Sequence, residues 1–179
     1  MSRFSPGPVE RIFSGFLVDI DRLHFDSDTG PFDREIVRHP GAVAVVPVHD
    51  DGDVVLIRQF RASVGARILE ITAGTCDVDG EDLAETARRE LIEEVGLEAS
   101  NFEVLGSFLN SPGYCDQRTV VFLASGLTEV ERRPEGPEES DALVERIPLT
   151  EALAMIETGE ILDGTTAYGL LMAARRRGL

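Results

Sequence analysis

The sequence predicts an α+β fold built on a mixed β-sheet, and three observations lead there. Short β-type runs outnumber helical ones along the 179 residues, helical stretches flank the strands instead of alternating regularly with them, and no internal repeat is visible. With 42% of residues hydrophobic, the chain has enough apolar surface for a core, which separates it from disordered sequences. Its length suits one domain, or one domain with a small appendage.

Between residues 11 and 39, β-type runs such as 12–18 and 35–38 are separated by the turn-rich Asp26-Ser27-Asp28-Thr29-Gly30-Pro31, which predicts a small antiparallel sheet. Residues 42–48 and 54–60 form two apolar strands joined by Asp-Asp-Gly-Asp at 50–53, so a β-hairpin is expected. A short strand at 68–71 leads into a polar, glycine-containing loop, AGTCDVDGED. Residues 82–95 form a helix that places Ala84, Ala87, Leu91 and Val95 on one apolar face and ends at Gly96.

Further strands are expected at 103–108, 118–124 and 142–147. The last two are separated by TEVERRPEGPEESD, a charged loop with two prolines and, apart from them, a single apolar residue, Val130. Structureless loops of that length are often functional. Two helices close the chain, one at 150–157 capped by Thr150 and one at roughly 165–177, whose terminal arginines suit the negative end of a helix dipole. A boundary is expected after residue 40, dividing an N-terminal β-sheet region, 1–40, from a main domain, 41–179. The first region is too small to bury a good core alone, and a dimer would solve that problem.

Composition excludes several classes of function. There are 33 acidic and 17 basic residues, a net charge of −16 at pH 7, so most of the surface repels a phosphate backbone and nucleic acid is not an expected partner. No apolar run approaches the roughly 20 residues of a spanning helix and no polybasic segment is present to hold anionic lipid, so no membrane association is expected. MSRFSPGPVERIF carries no apolar core of the kind a signal peptide needs, and the cytoplasm is the expected location. Cys76 and Cys115 match neither a disulfide framework nor zinc spacing. All 17 basic residues are arginine, whose planar guanidinium grips phosphate and carboxylate in a two-pronged way.

The chemistry concentrates in residues 74–97, GTCDVDGEDLAETARRELIEEVGL. On a helix Glu90 and Glu94 lie about 40° apart with Glu93 beside them, so three carboxylates crowd one edge. Like charges at that spacing destabilise a helix by about 0.2–0.5 kcal/mol per pair, a cost that a bound cation reverses. Clustered oxygen ligands without His or Cys suit a hard ion, Mg²⁺ above all, bound partly through a substrate phosphate.

Glu81, then seven residues, then Arg89-Glu90-Leu91-Ile92-Glu93-Glu94-Val95-Gly96-Leu97 resembles the signature of the Nudix hydrolases, G-x5-E-x7-R-E-U-x-E-E-x-G-U, with U a large aliphatic residue. Every fixed position from Glu81 onward matches. Gly74 departs from it, because six residues instead of five precede Glu81 and the turn carries one extra residue. The resemblance implies the Nudix fold, a mixed β-sheet sandwiched between helices. It implies that Glu90 and Glu94 supply metal oxygens, that Glu93 is a third carboxylate at the ion cluster and part of the catalytic set, that Arg89 orients these acids, and that the carbonyl of Ala73 completes the ligands. The implied cofactor is Mg²⁺, with Mn²⁺ as the alternative, at two or three ions per site.

Flanking strings narrow the resemblance. HPGAVAVVPV, VVLIRQFR, LEITAG ahead of the box and SFLNSPGYCDQR after it resemble, in that order, the ADP-ribose pyrophosphatase branch. That branch implies hydrolysis of the diphosphate bond of ADP-ribose, or of a similar nucleoside diphosphate sugar, to AMP and ribose 5-phosphate. It also implies a homodimer with exchanged N-terminal regions. Arg61 and Arg34 are then candidates to grip the diphosphate, Phe16 to stack on adenine, and Glu70 to serve the substrate site.

Gln117 stands where relatives commonly carry a glutamate, and an amide keeps hydrogen-bonding capacity while losing the charge. It is a substrate-contact candidate and leaves GDP-mannose and ADP-glucose as alternative substrates. Water activation in this branch falls to a glutamate on the loop after the main sheet, here PEGPEESD, where two alignments give Glu138 or Glu139. The prolines and Gly136 suit a mobile lid. A non-catalytic nucleotide-sugar sensor is the less favoured reading, since the box acids are intact and no basic segment is present.

Overall fold

A computed structural model describes residues 3–179. They form two compact units: the described residues up to Gly41 with Leu109–Arg118, and Ala42–Phe108 with Thr119–Leu179.

The first unit is a three-stranded antiparallel sheet of β1 (Phe4–Ser14), β2 (Asp19–Ser27) and β3 (Phe32–Arg38), in that order. The strand expected at 12–18 is displaced: β1 ends at Ser14, and the Gly15 N–H donates to the Val18 carbonyl at 2.9 Å to close the turn. Pro6 and Pro8 are tolerated ahead of it because β1 is an edge strand, and its register with β2 shifts between Pro6 and Val9. Phe25 stacks on Phe32 at 5.2 Å. The buried Asp21 lies between Arg11 and Arg38, and Arg38 continues to Asp116 at 2.8 Å, which ties residues 109–118 to β3.

The second unit contains β4 (Ala42–Pro47), β5 (Asp53–Arg61), β6 (Ala66–Glu70), β7 (Thr72–Thr75), β8 (Leu97–Leu109), β9 (Arg118–Glu129) and β10 (Leu143–Pro148). One sheet has the order β7-β4-β9-β8, the other β10-β5-β6. The sheet is mixed, because β4 pairs parallel with β9 and antiparallel with β7.

The expected hairpin of β4 and β5 does not form. The two strands lie in different sheets, and their pairing is limited to the isolated bridge Val48↔Val54, beside which the His49 N–H donates to the Asp53 carbonyl at 2.8 Å. Both runs are apolar at successive positions, so each needs cover on both faces and a partner on either edge. Those partners come from distant parts of the chain, and the turn at 50–53 passes it from one sheet to the other. The loop expected after residue 71 also begins as a strand, β7, because Thr72–Thr75 pairs with β4.

Helices α1 (Leu83–Val95), α2 (Gly136–Ser140), α3 (Leu149–Thr158) and α4 (Gly164–Arg177) complete the unit. Alternate strand residues divide the core into two faces. Val43, Val45, Val55 and Ile57 pack with Ala87, Leu91 and Val95 of α1. Ala44, Val46, Val48, Val54 and Leu56 pack with Leu149 and Ala152 of α3 and with Leu170 and Ala173 of α4. The strands therefore lie between α1 and the α3/α4 pair, and each fully buried aliphatic contributes about 1.5–3 kcal/mol.

Asp82 caps α1 by accepting the Ala84 N–H at 2.9 Å, and Gly96 ends it in the left-handed conformation. Thr150 does not cap α3 as expected, since that helix already begins at Leu149 after Pro148. No helix among the described residues is long and apolar enough to cross a membrane.

Candidate active site

Helix α1 brings the box acids against β7. Glu90 is 7% exposed and Glu94 2%, on the side of the helix that faces the strands, while Glu93 and Arg89 are half-buried. The Ala73 N–H donates to Glu94 Oε2 at 3.1 Å. A Cβ built on Gly74 would overlap the carboxyl carbon of Glu90, so any larger residue there would displace that side chain. Arg89 Nη1 lies 2.8 Å from Glu90 and 3.1 Å from Glu93, and its Nη2 lies 3.4 Å from Glu81 and 3.6 Å from Asp77. One guanidinium thus serves four carboxylates, one of them supplied by the enlarged turn. Thr86, which sequence reasoning passed over, donates to Glu81 at 2.8 Å from the buried face of α1.

The electrostatics show a shortage of positive charge. Burial pushes the Glu90 carboxyl up to about 7; Arg89 opposes that shift, and the charges of Glu93 and Glu139 add to it. Burial raises Glu94 well above the ordinary carboxylate range against the Ala73 N–H, again with help from Glu90 and Glu139. Burial also raises Glu93, with Arg89 opposing and Glu135 and Glu139 contributing. An all-oxygen set of buried acids short of cations fits a hard divalent ion. Among the described residues, no three acidic, histidine or cysteine side chains converge into a closed ligand set. A cation held here would therefore also draw on backbone carbonyl, water and substrate oxygens.

Beside these acids, the carboxylate of Glu70, at the end of β6, is clasped from β5. Arg61 Nε donates to it at 2.9 and 3.1 Å and Gln59 Nε2 at 3.1 Å. Burial raises the Glu70 carboxyl, with Arg61 and Gln59 opposing. Arg61 also acts from a distance to lower Glu94. Gln59 was not anticipated; the available signal was a polar residue at a position of RQFR that continues the buried alternation of Val55 and Ile57.

Of the two loop glutamates, Glu139 is the one whose charge is felt at Glu90, Glu93 and Glu94. Its Oε2 accepts the Glu135 N–H at 2.6 Å, while Glu138 is exposed. The charged loop is structured in part: it contains the end of β9 and the short α2. Ala73, Glu90, Glu93, Glu94, Arg61, Glu70 and Glu139 are gathered within the second unit. Phe16, Arg34 and Gln117 belong to the first. Phe16 is fully exposed in the turn after β1, Arg34 lies over the Phe32 ring at 4.7 Å, and the Gln117 carbonyl accepts the Asn110 N–H at 3.1 Å.

The NUDIX domain profile matches residues 38–164, which include the box, the strands around it and the loop bearing Glu139. The chain belongs to the Nudix family. Members of this family generally require a divalent metal such as Mg²⁺. The Nudix chain is 39% identical over 162 residues to the ADP-ribose pyrophosphatase of Bacillus subtilis, covering 90% of this chain and 87% of that one. It is 42% identical over 138 residues to the ADP-ribose pyrophosphatase of Mycobacterium tuberculosis, with coverage of 77% and 67%. The GDP-mannose pyrophosphatase of Citrobacter koseri is 36% identical over 142 residues, covering 74% of this Nudix chain and 73% of its own length. A crystal structure described as an ADP compounds hydrolase shares the fold, with a TM-score of 0.87, 23% identity, and coverage of 99% and 97%.

Proposed function

We propose that this Nudix enzyme hydrolyses the diphosphate bond of ADP-ribose, or of a similar nucleoside diphosphate sugar, to AMP and ribose 5-phosphate, with Mg²⁺ as cofactor. The observation that carries the reading is the set of buried carboxyls on α1, Glu90 and Glu94 foremost, raised in pKa and sharing little positive charge beyond Arg89. The names of the two ADP-ribose pyrophosphatases support the substrate class.

Glu90, Glu93, Glu94 and the Ala73 carbonyl would hold two or three Mg²⁺ ions, with Mn²⁺ able to replace them. When bound, the cations neutralise the diphosphate and raise the acidity of the attacking water. Arg89 keeps Glu90 and Glu93 aimed at that place through its bonds to both. Arg61 meets a diphosphate oxygen while its Nε stays on Glu70, and Gln59 keeps Glu70 from turning away. Glu139 takes the proton from water, a role its field at all three box acids supports over Glu138. The water oxygen bonds to phosphorus as the bridging P–O bond breaks.

Phe16 and Arg34 are assigned to the adenine and the diphosphate, and Gln117 to the sugar or base. The exposure of every residue of β1 supports a homodimer in which the region 1–40 is exchanged and covered, beside a Nudix domain of 41–179. The proposed location is the cytoplasm. A second reading, hydrolysis of GDP-mannose or ADP-glucose, is favoured by the amide at Gln117 and by the Citrobacter koseri relative.

The test is chromatographic separation of products from the purified chain, Mg²⁺ and a panel of ADP-ribose, ADP-glucose and GDP-mannose. AMP and ribose 5-phosphate from ADP-ribose, at a higher kcat/KM than the other two, are expected. Preferential turnover of GDP-mannose or ADP-glucose selects the second reading. Glu94→Gln should abolish most turnover, and a rate within a few-fold of the parent overturns the metal assignment.

A further inference from the structure

Arg132 joins three elements. Its Nη2 donates to the Glu139 carbonyl at 2.6 Å and its Nη1 to the Ala142 carbonyl at 3.1 Å, so one guanidinium grips α2 near its end and the residue leading into β10. The backbone that carries Arg132 is docked on the end of the box helix, where the Val130 N–H donates to the Gly96 carbonyl at 2.9 Å. Gly96 leaves no room for a side chain: a Cβ there would come within 2.9 Å of the Val130 carbonyl and 3.2 Å of Arg132 Cβ, in a backbone already at φ +66°. Direct contacts therefore lead from the end of α1, just past Glu93 and Glu94, through Arg132 to Glu139.

Helix α2 is five residues long and none of them is buried. Besides Arg132, it is held by Glu139 Oε2 on the N–H of its N-cap residue Glu135 and by the ion pair of Arg67 with Asp141 at its C-terminal end. The Arg132 Nε is buried without a hydrogen-bond partner, so the two carbonyl bonds at Nη1 and Nη2 carry the attachment. A freely swinging lid would have no such tether.

We propose that Arg132 is a positioning residue that fixes α2 against the end of the box helix and so sets where the Glu139 carboxylate stands relative to Glu90, Glu93 and Glu94. It acts through Glu139 and does not touch substrate. This rests on the reading of Glu139 as the group that activates water.

The test is a double-mutant cycle on the full chain with ADP-ribose and Mg²⁺, using Arg132→Met, Glu139→Gln and the combination. Arg132→Met is expected to lower kcat ~10- to 100-fold, the scale of a small misplacement of a reacting group, with KM and the Mg²⁺ concentration for half-maximal rate within about twofold of the parent. Placed on top of Glu139→Gln it should cost nothing more. Arg132→Lys, which keeps a cation and one donor, should recover part of the rate, and it carries the test if the methionine variant does not fold. Overturning results are a kcat within twofold of the parent, a parallel loss of Mg²⁺ response, or a penalty that persists undiminished in the Glu139→Gln background. If Glu139→Gln alone keeps the parental rate, the reading of Glu139 fails; if it is slow while the Arg132 variants are not, only the role of Arg132 fails.

Discussion

The carboxyl of Glu90 occupies the space that any side chain on residue 74 would need, so strand β7 and helix α1 approach closely because residue 74 is glycine. Gly74→Ala should leave the strand pairing of β7 intact and push Glu90 off its position. The expected result is a ~10- to 100-fold loss of kcat, a higher Mg²⁺ requirement, and a stability loss of about 1–3 kcal/mol typical of an overpacked interior. Steady-state kinetics against Mg²⁺ and a urea titration measure the two effects. Parental kinetics would show that the position of Glu90 does not matter.

The raised carboxyl of Glu90 fixes the sign of a pH effect. Burial lifts it from an ordinary 4.5 to about 7, so between those values the folded state holds more protons than the unfolded one. Its contribution to stability is complete below about 4.5 and lost as pH rises through about 7, up to about 3 kcal/mol from this group. Glu94 and Glu93 shift in the same direction. Without divalent ions the melting temperature should fall from pH 5 to pH 8, Mg²⁺ should recover most of the loss at pH 8, and Glu90→Gln should flatten the profile.

Glu138 and Glu139 are neighbours, and the rates of their amide variants should differ widely. Glu139→Gln is expected to lower kcat by ~10²- to 10⁴-fold, the range for removal of a general base, with Glu138→Gln near the parent. Product formation under saturating ADP-ribose measures both. The opposite ranking would transfer the role to Glu138.

Gln59→Leu tests the clasp on Glu70. The substitution removes the 3.1 Å donor from a buried carboxylate, at a cost of about 1–3 kcal/mol in stability. Arg61 then loses a fixed partner, and KM for ADP-ribose should rise more than kcat falls. A variant with parental KM and undiminished stability would show that Arg61 alone holds Glu70.

What the sequence reveals about this molecule depends on how local each determinant is. The bounds of α1 were legible to within one residue because the apolar face and Gly96 lie within the helix or next to it, while Asp82, expected as its first residue, is its N-cap. The pairing of β4 was not, because its parallel partner β9 begins more than 70 residues later, and a short polar turn between apolar runs looks the same whether it closes a hairpin or joins two sheets. β7 was hidden in a Thr-Ala-Gly-Thr string with no alternation to reveal it. The box acids were readable from their spacing. Gln59 acquires meaning only once β5 pairs with β6, and choosing between Glu138 and Glu139 required the coordinates of a helix too short to show periodicity.

The prolines of β1 have a consequence for solubility. An outer strand 11 residues long would ordinarily offer a continuous row of N–H groups for stray chains to add to, one after another. Pro6 and Pro8 remove two of those donors, and the shifted register between Pro6 and Val9 breaks the flat ribbon that fibril growth needs. The strand is thus a poor template for open-ended stacking, even though phenylalanines 4 and 13 stand exposed along it, and this protects the sheet from runaway self-assembly at high concentration.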